Sequence, residues 1–122
     1  MKKLEKLVVK VLTGQNDPER TAQAFTVAAT AAASGIDVSL WLTGDASFFA
    51  LPGKAAEFTL PLSAPLDVLL QSILTSGAIT LCTQCAERRG IALDQLIDGI
   101  VIKGAASFVE EIMHEGVQVV VY

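Results

Sequence analysis

Residues 78–90 read Ala78-Ile-Thr-Leu-Cys-Thr-Gln-Cys-Ala-Glu-Arg-Arg-Gly90, and this stretch decides the fold. Its first five residues are mostly apolar or β-branched and predict a strand that ends at Cys82. The strand leads directly into a predicted helix over Thr83–Arg89, which Gly90 stops. Strands joined through helices are typical of parallel sheets, in which each strand needs a long crossover to reach the next.

The same alternation of strand and helix extends over the rest of the chain. Short apolar runs predict four further strands, at Leu7–Leu12, Ile36–Leu42, Gly99–Lys103 and Val117–Tyr122. Segments with helix start and stop signals predict three further helices, from Pro18 to about Ser34, at Pro65–Ser76 and at Ala105–Glu115. Shorter helical pieces are expected at Ala46–Leu51 and Asp94–Ile97, and a minor extended segment at Glu57–Leu62.

This pattern favours one α/β domain over residues 1–122, with a mostly parallel sheet covered by helices on both faces. In open sheets of this kind, ligands and reactive groups lie outside the carboxyl ends of the strands. Four of the predicted strands lead into Gly14, Gly44, Cys82 and Gly104 at that edge. We therefore expect the functional site there.

Composition narrows the classes of partner. The chain is 52% hydrophobic and only 18% charged, which is apolar for 122 residues. Part of the surface is therefore expected to meet other subunits in a homo-oligomer. The net charge is −4 and no basic run is present, so no nucleic-acid partner is expected.

The sequence predicts a cytoplasmic protein without a membrane segment. Glu5 and Lys10 interrupt the apolar stretch near the start, which is too short for a signal peptide. The alanine-rich segment Ala22–Ala33 carries polar residues and is too short to span a bilayer. Two cysteines in the cytoplasm are more often reduced, catalytic or metal-bound than joined as a structural disulfide.

The Cys82–Cys85 pair carries the strongest chemical signal. Cys82 is expected at the N-terminal end of a helix, where the helix dipole and free N–H groups favour a thiolate. Cys85 lies one helical turn further on, and Arg88 or Arg89 could add positive potential near the sulfurs. The C-x-x-C spacing also serves zinc half-sites and dithiol redox pairs, and both cysteines could instead be small packing residues.

A weaker hypothesis is a small-ligand site at the carboxyl edge of the sheet. Its candidate residues are Gly14, Gly44, Arg89, Lys103 and Gly104, of which Lys103 and Gly104 open a helix and could hold an anion. The glycines complete neither a dinucleotide-binding nor a phosphate-loop motif, so no nucleotide cofactor is expected. No metal site is predicted within one chain, since two cysteines per chain would need a symmetry mate to complete a four-sulfur zinc site.

The stretch Ile79–Ile91, with its two cysteines and its Arg89-Gly90 pair, resembles the segment around the reactive cysteine of the DsrE/DsrF-like family. That family includes sulfur-relay proteins of the DsrE and TusD kind and the YchN-like proteins. The resemblance implies a three-layer α/β/α sandwich built on a mostly parallel five-stranded sheet. It also implies assembly into trimers or hexamers.

The resemblance further implies that Cys82 accepts sulfane sulfur from a donor protein as a persulfide and passes it to an acceptor protein. Cys85 is absent from the pattern of the TusD-like members, so the resemblance gives it no role. It could resolve a Cys82 persulfide by forming a disulfide and releasing sulfide. Two alternatives stay open: a dithiol redox or metal-binding module that uses both cysteines, and a non-catalytic oligomeric domain that binds a small ligand.

Overall fold

The computed structural model describes residues 3–122 as five strands that alternate with four α-helices. The strands are β1 (Lys6–Val11), β2 (Asp37–Leu42), β3 (Ala78–Cys82), β4 (Val101–Lys103) and β5 (Val117–Val121). The α-helices are α1 (Pro18–Ala33), α2 (Leu66–Ser76), α3 (Thr83–Arg88) and α4 (Ala105–Ile112). Three 3-10 turns complete the regular structure, at Gly44–Ala50, Ala55–Glu57 and Leu93–Gln95.

All five strands form one parallel sheet in the order β4-β3-β2-β1-β5. The predicted α/β fold with a five-stranded parallel sheet is therefore confirmed. Side chains alternate between the two faces of each strand, so residues in register form rows across the sheet. One row, Val120-Val9-Leu40-Ile79, lies in the main core, and the next row, Val121-Lys10-Trp41-Thr80-Val101, points to the opposite face.

Helices α1 and α2 cover the core face. Helix α1 begins as the sequence predicts, because Pro18 occupies the first turn and Asp17 Oδ1 accepts a hydrogen bond from the N–H of Arg20 at 3.4 Å. Its alanines keep it thin, so that it lies close to β1 and β2. Phe25 of α1 and Leu70 of α2 are fully buried between these helices and the sheet.

Helix α4 covers the opposite face and is anchored there by Glu111. The carboxylate Oε1 accepts hydrogen bonds from Trp41 Nε1 at 2.7 Å and from Ser39 Oγ at 3.0 Å, and Oε2 pairs with Lys6 Nζ at 2.8 Å. Phe108, one turn earlier, packs edge-on against Trp41 with ring centroids 5.1 Å apart. The sheet is thus sandwiched between two helical layers.

The structure differs from the predicted elements mainly between the strands. Residues 58–62 form no strand: a 3-10 turn ends at Glu57, and Leu62 adopts a positive φ of 63°, which extended backbone cannot accommodate. Strand β4 begins at Val101 rather than at Gly99, because Gly99 turns with φ 96° and the N–H of Ile100 bonds to the carbonyl of Ile97. Helix α4 ends at Ile112, three residues earlier than predicted.

Candidate active site at the cysteine pair

Cys82 lies where β3 ends and α3 begins. It is the N-cap residue of α3, as predicted, but its side chain makes no capping hydrogen bond. On the sheet it is in register with Lys103 of β4, and Gly104 approaches Thr83, the residue that follows Cys82. Its side chain is partly exposed. Lys103 and Gly104 therefore lie beside Cys82 at the carboxyl edge of the sheet.

Cys85 lies one helical turn after Cys82 and is only 8% exposed. The backbone N–H of Gly44, in the loop after β2, donates a hydrogen bond to its Sγ at 3.3 Å. The Cys82 thiol is near enough to lower the pKa of Cys85, since the spacing of three residues places both side chains on one face of the helix. The two sulfurs thus form one site, with Cys82 toward solvent and Cys85 toward the interior.

The surroundings of Cys85 favour its ionised form. Burial alone raises the pKa of the Cys85 thiol and is the largest single influence. The Gly44 N–H, the Cys82 thiol and the Arg89 guanidinium act in the opposite direction and outweigh it. The Ser47 hydroxyl falls outside hydrogen-bond geometry but is near enough to lower the pKa further. The net result is a pKa for Cys85 below the ordinary value of a cysteine.

Arg89 is held over the site by three contacts. Its Nη1 donates to the backbone carbonyl of Cys85 at 3.2 Å, and its Nη2 lies 3.5 Å from Asp45 Oδ1. Its guanidinium also stacks 5.6 Å from the centroid of the Phe48 ring. Arg88, in contrast, is exposed. Of the two arginines considered in the sequence, Arg89 is therefore the one whose charge acts on a sulfur.

Gly14 and Gly44 lie at this edge because the backbones there approach closely. A Cβ on Gly44 would lie 2.5 Å from the carbonyl oxygen of Leu12, and one on Gly14 would lie 3.1 Å from the carbonyl oxygen of Asp45. The Gly14 N–H is already bonded to Asn16 Oδ1 at 2.8 Å. Backbone packing alone thus accounts for both glycines, and the Gly44 N–H is directed at Cys85.

The ligand-binding and metal-binding alternatives find less support in the geometry. A cavity of about 390 Å³ opens beside Asp45 and Phe48, but neither cysteine is among the residues that line it. In the described range 3–122, no group of three or more His, Cys, Asp or Glu side chains could hold a metal ion. A zinc site built on the two cysteines would therefore need ligands from a second copy of the chain.

Sequence reasoning missed the contribution of the loop after β2 to the site. The hydrogen bond from Gly44 to Cys85 joins residues 41 positions apart, and no local pattern encodes it. The Ser47 hydroxyl is fully buried and is the one buried side-chain polar atom without a hydrogen-bond partner among the residues described. Nothing in the sequence around Ser47 indicates that its hydroxyl lies near the sulfur of Cys85.

The charge of Arg89 gives a direct prediction. In a Cys82→Ser background, Arg89→Gln is expected to move the titration of Cys85 to higher pH, because a neighbouring cation is removed. The titration can be followed through the ultraviolet absorbance of the thiolate. Arg88→Gln is the matched control and is expected to leave the curve in place. Equal shifts in the two variants would show that Arg89 has no specific effect on Cys85.

Comparison with known sequences places the chain in a family. The sequence pattern of the DsrE/DsrF-like family matches residues 5–122, which is nearly the whole chain and includes both cysteines. The chain belongs to the DsrE/DsrF-like family. The resemblance predicted from residues 79–91 is therefore confirmed.

One curated protein shares sequence with most of this chain. An uncharacterized protein of Methanocaldococcus jannaschii is 30% identical over 107 residues, which cover 87% of this chain and 39% of that protein. The chain thus spans well under half the length of this curated relative.

Within residues 3–122, no helix is long and apolar enough to cross a membrane.

Solved structures share the fold at low sequence identity. The YchN protein from E. coli superposes with a TM-score of 0.78 at 23% identity, over 98% of this chain and 100% of that one. A protein of unknown function from Methanobacterium thermoautotrophicum gives 0.66 at 10% identity, over 96% and 98%. A conserved protein of unknown function from Bacteroides thetaiotaomicron gives 0.63 at 18% identity, over 97% and 95%.

Proposed function

We propose that this DsrE/DsrF-like protein accepts a sulfane sulfur on Cys82 as a persulfide and passes it to an acceptor protein. One observation carries the proposal: of two cysteines one helical turn apart, Cys82 at the N-cap of α3 is partly exposed, whereas Cys85 is buried. A donor protein therefore reaches the Cys82 sulfur more readily than the Cys85 sulfur. Membership of a family that includes sulfur-relay proteins supports the same chemistry.

Loading is a thiol–persulfide exchange that needs only the Cys82 thiolate. Cys82 attacks the outer sulfur of a donor persulfide, a new sulfur–sulfur bond forms, and the donor leaves as a thiolate. The proton that Cys82 loses is taken up by the departing donor thiolate or by solvent, which the partly exposed Cys82 can reach. No net oxidation or reduction occurs, because one sulfur–sulfur bond replaces another. The reverse exchange delivers the sulfur to the acceptor.

Self-association and a cytoplasmic location are parts of the same proposal. Val109 of α4 and Met113, the C-cap residue of that helix, lie one turn apart and are 53% and 76% exposed. Such an apolar pair supports a surface shared with other copies of the chain, as in a trimer or hexamer, and light scattering would measure the copy number. A reducing cytoplasm would keep both thiols free for sulfur transfer.

The proposal is tested by two single-cysteine variants exposed to a low-molecular-weight persulfide and then freed of excess donor. Cys85→Ser, which keeps Cys82, is expected to gain one sulfur atom by intact-mass analysis. Cys82→Ser, which keeps Cys85, is expected to gain none, because the remaining thiol is buried. Loading of Cys82→Ser to the same extent, or failure of Cys85→Ser to load while folded by circular dichroism, would contradict the assignment of Cys82.

A further inference from the structure

We propose that the chain also reduces the sulfur it accepts: Cys85 attacks the Cys82 persulfide, releases sulfide and leaves a disulfide between the two residues. This inference rests on the proposed loading of Cys82. It gives the second cysteine a chemical role and makes the protein a persulfide reductase as well as a carrier.

Position makes Cys82 the natural target of Cys85. Cys82 is the N-cap residue of α3 and Cys85 lies one helical turn further on, so a persulfide on Cys82 has its inner sulfur beside Cys85. Because Cys85 is only 8% exposed, an external donor reaches it less readily than it reaches Cys82. A buried thiol one turn from a reactive one is placed to act on it from within the site.

The pocket behind Cys85 is polar and suited to an anionic sulfur. The Gly44 N–H is directed at Sγ from 3.3 Å, and Arg89 is fixed nearby by Asp45. The Ser47 hydroxyl is fully buried and unpartnered among residues 3–122, so it is free to turn toward the sulfur when charge develops. A cysteine that only packs in the core needs no hydrogen-bond donors such as the Gly44 N–H and the Ser47 hydroxyl around its sulfur.

The attacking group is the Cys85 thiolate, and the proton resides on the outer sulfur of the Cys82 persulfide at that moment. Cys85 attacks the inner sulfur, the bond to the outer sulfur breaks, and the proton leaves with that sulfur as HS⁻. The sulfane sulfur is reduced to sulfide while the two cysteines are oxidised to a disulfide. A cellular dithiol or other thiol reductant must reopen the disulfide before the next turnover.

The test is a single turnover with glutathione persulfide followed by rapid removal of excess donor. The wild-type chain is expected to release one sulfide per chain loaded, and its mass should fall below that of the reduced protein by the two thiol hydrogens. Cys85→Ser is expected to retain its sulfur at least tenfold longer than the wild type. Cys85→Ala, which keeps a small side chain at this buried position, is a second variant in case serine disturbs the fold.

The outcomes separate the two proposals. If the wild type keeps a stable persulfide for as long as Cys85→Ser does, the reductase step is wrong and the carrier function stands. If Cys85→Ser and Cys85→Ala fold but take up no sulfur, loading of Cys82 is itself wrong. Release of sulfide by the wild type without a Cys82–Cys85 disulfide would also overturn the reductase step, because the electrons would come from elsewhere.

Discussion

Gly44→Ala is expected to destabilise the chain by about 2–5 kcal/mol. Gly44 has φ 49°, and a left-handed conformation costs an alanine about 1–2 kcal/mol. The added Cβ would lie 2.5 Å from the carbonyl oxygen of Leu12, so the backbone of one loop must move, at a further cost of about 1–3 kcal/mol. Denaturant unfolding of the variant and the wild type measures the difference.

Gly35→Ala is the matched control for this prediction. Gly35 also has a positive φ, 85°, but nothing lies within 4 Å of the position its Cβ would take. Its substitution should therefore cost only the conformational part, about 1–2 kcal/mol. Equal losses in the two variants would show that contact with Leu12 contributes nothing. Movement of the Gly44 loop should also weaken the hydrogen bond to Cys85 and shift its titration to higher pH.

Glu111→Ala is expected to lower the free energy of unfolding by about 2–6 kcal/mol, because it removes the acceptor for two buried donors. Trp41 is 3% exposed and Ser39 is 1% exposed, and each donates to Glu111 Oε1. A buried donor left without an acceptor costs about 1–3 kcal/mol. Glu111→Gln should be milder, because its carbonyl oxygen can still accept from Trp41 while only the ion pair with Lys6 is lost.

The same carboxylate gives a pH dependence. Burial raises the pKa of Glu111, but the contacts with Lys6, Trp41 and Ser39 outweigh it, so the folded-state pKa lies below the ordinary value. The stabilisation is therefore fully present above the pKa of an unfolded glutamate, about 4.3, and is lost as the pH falls through the lower folded-state value. The free energy of unfolding, measured at a series of pH values across this range, should depend less on pH in Glu111→Gln than in the wild type. The exposed neighbour Glu110→Gln should keep the wild-type profile, and a flattened profile there would contradict the assignment.

Much of the fold is local in origin and could be predicted from the sequence. Strand β3 ends at Cys82 as predicted, because an apolar run there is followed at once by helix-forming residues. Asp17 and Pro18 fix the start of α1 through capping and a constrained φ, both of which depend on neighbouring residues. Strand order cannot be derived in this way, because it depends on which crossovers pack best.

The site could be predicted in position but not in detail. The strand ends correctly indicated the edge at which Cys82, Gly44 and Arg89 lie. From the sequence, Cys85 could be predicted only to lie near Cys82. Its lowered pKa depends on Gly44 and on Arg89, which Asp45 holds in place. These contacts join segments about 40 residues apart, and helical spacing carries no information about them.

The most direct test of sulfur loading on Cys82 follows the position of the added sulfur in the wild-type chain over time. The reaction with glutathione persulfide is quenched with a thiol-blocking reagent at successive times, and fragmentation between Cys82 and Cys85 locates the added sulfur by mass. We predict that the sulfur appears first on Cys82 and that a Cys82–Cys85 disulfide grows as it disappears. Sulfur that appears first on Cys85 would contradict the proposed order of the two residues.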